Sequence, residues 1–152
     1  MNFTQVLAEL DLLPVPTKLN RWSAWAEENG LRLPASFQEA LGLGAAELLT
    51  RHSDTECFEI MPEILQWAGL PVLPLLTENQ GNFRYGLWLN GEPDPPVLWC
   101  NSYVQVRHLE LMPAEWMPFA VNFAAFAFAR LHDFQYLWNA SQAGWDDDWF
   151  MD

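Results

Sequence analysis

Three histidines, two cysteines and 20 carboxylates are the groups in this 152-residue chain that could bind a metal or move a proton. His52, His108 and His132 are far apart, and none stands in a His-x-x-x-His pair. Zinc takes about four nitrogen or sulfur ligands in a tetrahedron. A zinc site here would need three or four of His52, Cys57, Cys100, His108 and His132 to converge, and their spacing gives no sign of it. The two cysteines read as reduced, partly buried thiols rather than a disulfide framework. No nucleophile elbow or cysteine-protease signature accompanies them. Gly42 and Gly44 lack the third glycine of a phosphate-binding loop.

Carboxylates are the abundant reactive type. Glu27-Glu28 falls near the end of a predicted helix, where the dipole disfavours anions, and reads as a solvated pair. Asp146-Asp147-Asp148 lacks the alternating ligand order of a calcium loop, so a solvated tail or a partner-binding surface accounts for it better than a metal. Asp94 precedes Pro95 and reads as a turn former. The expectation is a protein that is not an enzyme and holds no cofactor or metal.

Twenty acids against seven bases leave a net charge of −13. That balance repels nucleic acid and anionic membrane surfaces and favours a basic protein as partner. Hydrophobic residues make up 51% of the chain, nine of them Trp, enough to bury a core in one domain spanning 1–152. The N-terminus has no basic stretch followed by an apolar core, and no apolar run reaches the roughly 20 residues a membrane span needs. The expectation is therefore a cytoplasmic location.

The elements that must position these groups are legible in the apolar spacing. Phe3, Val6, Leu7 and Leu10 share one helical face, with Pro14 and Pro16 beyond it. Thr17 is a candidate N-cap for a second helix carrying Leu19, Trp22, Trp25 and Ala26, which Asn29-Gly30 stops. Leu33-Pro34 leads into a short helix at 35–41, with Ser36 as its expected cap and Glu39 placed to close a capping box. Thr55–Ile60 is strand-like, and a helical turn is expected near Pro62–Trp67.

Leu70–Leu76 carries Pro71 and Pro74, which lack amide donors, so an edge strand or a short one is expected there. Phe83, Tyr85, Leu87 and Leu89 alternate as a half-buried strand. Asn90-Gly91-Glu92-Pro93 turns the chain into Val97-Leu98-Trp99. Tyr103–Leu109 alternates again. Pro113–Trp138 is the longest predicted helix, with Phe119, Phe123, Phe126, Arg130 and Phe134 at steps of three or four residues and alanines between them. The fold class expected is α+β. It comprises a mixed, mostly antiparallel sheet of five to six strands over 55–109, helices before it, and a long C-terminal helix packed on it.

Glu78-Asn79-Gln80-Gly81, the strand with Tyr85-Gly86-Leu87-Trp88, and Asp94-Pro95-Pro96-Val97 together resemble the SUKH superfamily of bacterial immunity and regulatory proteins. Leu33-Pro34-Ala35-Ser36-Phe37 is a weaker upstream match, and the likeness runs loosely over residues 30–130. The resemblance implies helices first and a helix last. It also implies a protein that binds and neutralises a cognate toxin, with a regulatory or scaffolding module as the alternative role. The charge points to a toxin with a basic surface, such as a nuclease. Within the acidic, aromatic tail 144–152, Trp145, Asp146, Asp147, Asp148 and Trp149 combine aromatic anchors with a charged rim and are the first candidate contacts. Glu56, Glu59 and Glu63 are the second.

Overall fold

A computed structural model describes residues 2–12, 21–45, 49–50, 56–58, 63–79, 83–100 and 115–142. Three short helices come first: α1 (Phe3–Glu9), α2 (Arg21–Glu28) and α3 (Ala35–Gly42). Six strands follow: β1 (Glu56–Phe58), β2 (Leu65–Trp67), β3 (Leu70–Glu78), β4 (Arg84–Trp88), β5 (Val97–Cys100) and β6 (Trp116–Ala120). The 20-residue α4 (Phe123–Gln142) closes the described chain. The class is α+β, as the apolar spacing predicts.

The local sequence explains how the first helices begin and end. Asn2 and Gln5 cap α1 reciprocally: the Asn2 Oδ1 accepts from the Gln5 amide at 2.9 Å, and the Gln5 Oε1 accepts from the Asn2 amide at 3.0 Å. At the end of α2, Gly30 takes φ +65°. The Leu31 amide then reaches back to the Ala26 carbonyl at 2.8 Å and the Gly30 amide to that of Glu27 at 3.1 Å. Asn29-Gly30 thus stops α2 as its sequence suggests. The expected capping box on α3 does not form. Pro34 occupies the N-cap with no side-chain hydrogen bond, Ser36 lies inside the first turn, and Glu39 is exposed.

The sheet pairs in the order β1-β3-β4-β5-β6, with β2 also on β3, and every described pairing is antiparallel rather than mixed. β1 and β2 lie end to end along one edge of β3, opposite its C-terminal and N-terminal parts respectively. The turn expected near Pro62–Trp67 is therefore partly strand. β3 is the second correction. Despite two prolines it is nine residues long and interior. The Pro71 carbonyl accepts from Leu89 across the β4 side at 2.9 Å. Alternation along the strand then turns position 74 to the opposite edge, where β2 has ended at Val72 and β1 begins only at Leu76. Among the described residues none pairs with Pro74 on that edge, and the register shift between Pro74 and Leu76 lies beside it.

The third correction concerns the expected helix at 113–138. Trp116–Ala120 is instead an edge strand, and the helix begins only at Phe123. Pro118 fits an edge strand, which needs fewer amide donors than an interior one. Asn122 marks the true helix start, since its Oδ1 accepts from the Ala125 amide at 2.8 Å. The strand expected at 103–109 and the cap expected at Thr17 lie outside the described residues.

The main core lies between the helices and one face of the sheet. Phe3, Val6 and Leu7 of α1, Trp22 and Trp25 of α2, and Phe37 and Leu41 of α3 meet Leu73, Leu75, Leu87 and Val97 from the sheet and Phe123, Phe126 and Leu131 from α4. Phe123 is fully buried, with its ring 5.3 Å from Phe37 and 6.1 Å from Phe3. The alternating positions Tyr85 and Leu87 are buried, with Phe83 and Leu89 packed alongside, as their period of two requires.

A smaller apolar cluster occupies the other face, formed by Val72, Leu98, Cys100 and Trp116 with Leu65, Trp67 and Trp88 beside them. Burial pushes the Cys100 thiol above its usual range, against a smaller opposing pull from Arg84. Gly86 makes this cluster possible, because a Cβ there would stand 2.6 Å from Val72 Cγ1 and 3.1 Å from the Trp116 indole. The indole lies over the bare backbone of β4. Gly86→Ala should therefore destabilise the protein by about 1–3 kcal/mol through overpacking. Urea unfolding checks this, and Trp fluorescence should shift with it.

Candidate functional site

Asp94 holds the end of the molecule where the candidate surface lies. Its Oδ1 accepts from the Phe123 amide at 3.0 Å and the Ala124 amide at 3.3 Å, and its Oδ2 from Ala124 at 3.4 Å. The Ser36 hydroxyl donates to the same Oδ1 at 2.7 Å. A carboxylate in the β4–β5 connection thus caps the first turn of α4 from a distance and ties it to α3. The negative charge also meets the positive end of the helix dipole. The sequence reads Asp94 as a turn former; the structure adds a fold-organising role that depends on residues 29 and 58 positions away. Asp94→Ala should cost about 2–3 kcal/mol, because charge-assisted hydrogen bonds exceed neutral ones and three donors lose their acceptor. Asp94→Asn should retain part of this, and chemical denaturation of both variants measures the difference.

Asp94 sits behind a cleft of about 410 Å³ at the end of the sheet. One wall is the α2–α3 connection, residues 30–35; the other is the 91–95 turn, with Pro71 and Leu89 between them. The lining is mainly leucine, proline, alanine and glycine, and Arg32 and Glu92 are its charged members. Such a surface can seat an apolar group and orient charge around it. Sequence reasoning missed this site. Pro34, Pro71, Pro93 and Pro95 are conspicuous in the chain, but only the pairing of β3 with β4 and the Ser36–Asp94 contact bring them together.

A second exposed feature is the β6 edge. Met117 is 48% exposed, Phe119 56% and Val121 79%. Phe119 still packs edge-to-face on Tyr85 at 4.9 Å and on Phe126 at 6.0 Å, so it lies across the rim of the core rather than inside a helix face.

Of the carboxylates singled out in the sequence, Glu56 is turned inward. It forms a two-pronged ion pair with the Arg130 guanidinium, and both side chains are only 11% exposed. Arg130 Nε also donates to the Leu49 carbonyl at 2.7 Å, and its guanidinium lies 5.5 Å from the Phe126 ring centre and 5.9 Å from that of Tyr85. Burial, then the nearby Glu56 charge, pushes the Tyr85 phenol above its usual range, while Arg130 pulls the other way. Glu63 is exposed just before β2. Glu59 and the tail residues Trp145, Asp146, Asp147, Asp148 and Trp149 lie outside the described residues.

Among the described residues, no group of three or more His, Cys, Asp or Glu is placed to hold a metal ion. No helix among them is long and apolar enough to cross a membrane. Comparison with protein-family models, with curated proteins and with solved structures returned no match.

Proposed function

We propose that this protein is a non-enzymatic immunity protein that binds and neutralises a cognate toxin with a basic surface. The observation that carries the reading is the sign of the surface. Among the residues whose exposure is described, nine acids are exposed, Glu9, Asp11, Glu27, Glu28, Glu39, Glu63, Glu92, Glu115 and Asp133, against one arginine, Arg32. With a net charge of −13 over the whole chain, such a surface attracts a basic partner over long range and raises its association rate. The resemblance to the SUKH superfamily at Tyr85-Gly86-Leu87-Trp88 and Asp94-Pro95-Pro96-Val97 supports the same role, as does an architecture with helices first and a helix last.

A regulatory or scaffolding module is the second reading. The exposed Met117, Phe119 and Val121 favour it, because an apolar edge can dock a partner without regard to charge. Mixing the protein with the toxin domain encoded beside its gene separates the two. Stable complex formation with loss of toxin activity supports immunity; a toxin that neither binds nor loses activity sinks it. Within that complex, Asp146, Asp147 and Asp148 changed together to Asn should slow association, and the loss should shrink as salt rises. A chain truncated after Gly144 that binds with undiminished affinity would remove the tail from the interface.

A further inference from the structure

We infer that the cleft at the end of the sheet seats an apolar side chain carried by a basic segment of the partner protein, an inference that rests on the partner-binding reading above. Three observations converge there. The first is shape: at about 410 Å³ and with a mainly apolar lining, the cleft has room for one large apolar side chain.

The second is rigidity. The Leu31 amide is fastened to the Ala26 carbonyl at 2.8 Å, and the Leu33 carbonyl accepts from Gln38 Nε2 at 2.8 Å. Opposite, the Leu89 amide is held by Pro71 at 2.9 Å and the Trp88 amide by Pro96 at 3.1 Å. The Ser36–Asp94 hydrogen bond at 2.7 Å joins the two walls. A pocket already built loses little conformational freedom when an anchor enters, and buried anchors in such pockets carry most of the affinity of an interface.

The third is charge. Glu92 lies in the lining, and Glu27 and Glu28 end α2 immediately before it, with the Gly30 amide 3.1 Å from the Glu27 carbonyl. The carbonyl end of the helix adds partial negative charge of its own. Arg32 is the single opposing cation in the lining. An apolar seat on a surface whose exposed charges are mostly acidic fits an apolar residue flanked by lysines or arginines.

Two acetylated, amidated pentapeptides test this on the full ¹⁵N-labelled chain: lysine-lysine-tryptophan-lysine-lysine and the same peptide with glycine at its centre. The tryptophan peptide should bind about tenfold more tightly than the glycine peptide, as expected for one anchor entering a pocket. It should shift the amides of Leu31, Arg32, Leu33, Ala35 and Gly91. Ala35→Trp, which fills the cleft from an exposed position at the start of α3, should abolish the difference between the peptides. Glu27→Gln, Glu28→Gln and Glu92→Gln together should weaken both peptides alike. Equal affinity of the two peptides for the unaltered protein, or shifts centred on β6 instead, would overturn the inference. A toxin domain that binds the Ala35→Trp variant as tightly as the parent would remove the cleft while leaving the immunity reading intact. A toxin that fails to bind the parent would remove that reading while the peptides still decide the cleft.

Discussion

Replacing Phe123 with alanine should lower the unfolding free energy by about 3–5 kcal/mol, the cost of emptying a large aromatic site in a packed core. Phe123 is 0% exposed and stands where α1, α3 and α4 meet, with its ring against both Phe3 and Phe37. Those neighbours come from two separate helices, both distinct from α4, so no single element can move in to fill the space. Its own amide is also held by Asp94, which fixes the start of α4 and further limits relaxation. Phe126→Ala should fall in the same range, since Phe126 is 3% exposed and packs on Tyr85 with ring centres 5.2 Å apart. Urea denaturation of each variant measures the change. A loss below about 1 kcal/mol in both would place the core elsewhere.

The buried ion pair should respond as strongly, in a diagnostic way. Glu56→Ala leaves the Arg130 guanidinium with its Leu49 contact and its two aromatic neighbours but no counter-charge among the described residues. Removing one partner of a buried pair costs about 3–5 kcal/mol, because the remaining charge stays desolvated. Arg130→Met combined with Glu56→Leu should recover most of that loss, since apolar replacements remove both desolvation costs at once. A double-mutant cycle read by chemical denaturation gives the coupling. If the double replacement is as unstable as Glu56→Ala alone, the pair holds β1 to α4 by geometry that apolar side chains cannot reproduce.

Periodicity carried the sequence reading where one face of an element meets the core. Phe3, Val6 and Leu7 on α1, and Tyr85 and Leu87 on β4, are buried where their spacing puts them. Phe123 and Phe126 are core residues for the same reason. Periodicity failed where two patterns share the same residues. Phe119 steps by four to Phe123 and so extends a helical stripe, yet Trp116–Ala120 pairs with β5 as an edge strand. What decides between them is Trp116 lying on Gly86 of β4, a contact between residues 30 positions apart that local spacing cannot contain. Pro74 misled for a related reason. Among the described residues neither β1 nor β2 pairs with it, so its missing amide breaks no described pairing on that edge.

The candidate surface was less legible still. Asp94 is visible as a turn residue, but its three amide-to-carboxylate contacts and the Ser36 hydroxyl come from α4 and α3. Glu56 looks in sequence like any acid of a strongly acidic chain. Its pairing with Arg130, 74 residues later, is what local spacing cannot contain. The cleft is lined in part by Leu33, Pro34, Ala35 and Pro95, which the sequence singles out as fold motifs, but nothing in either stretch says that the sheet register brings them together around a cleft.

The most direct test of the proposed role is the association rate of the protein with the toxin proposed as its partner, measured by stopped flow across a range of ionic strength. Attraction between a −13 chain and a basic partner predicts fast association at low salt, toward about 10⁸ M⁻¹s⁻¹, falling steeply as salt screens the charges. An association rate that stays flat from low to high salt, or no association at all, would contradict it.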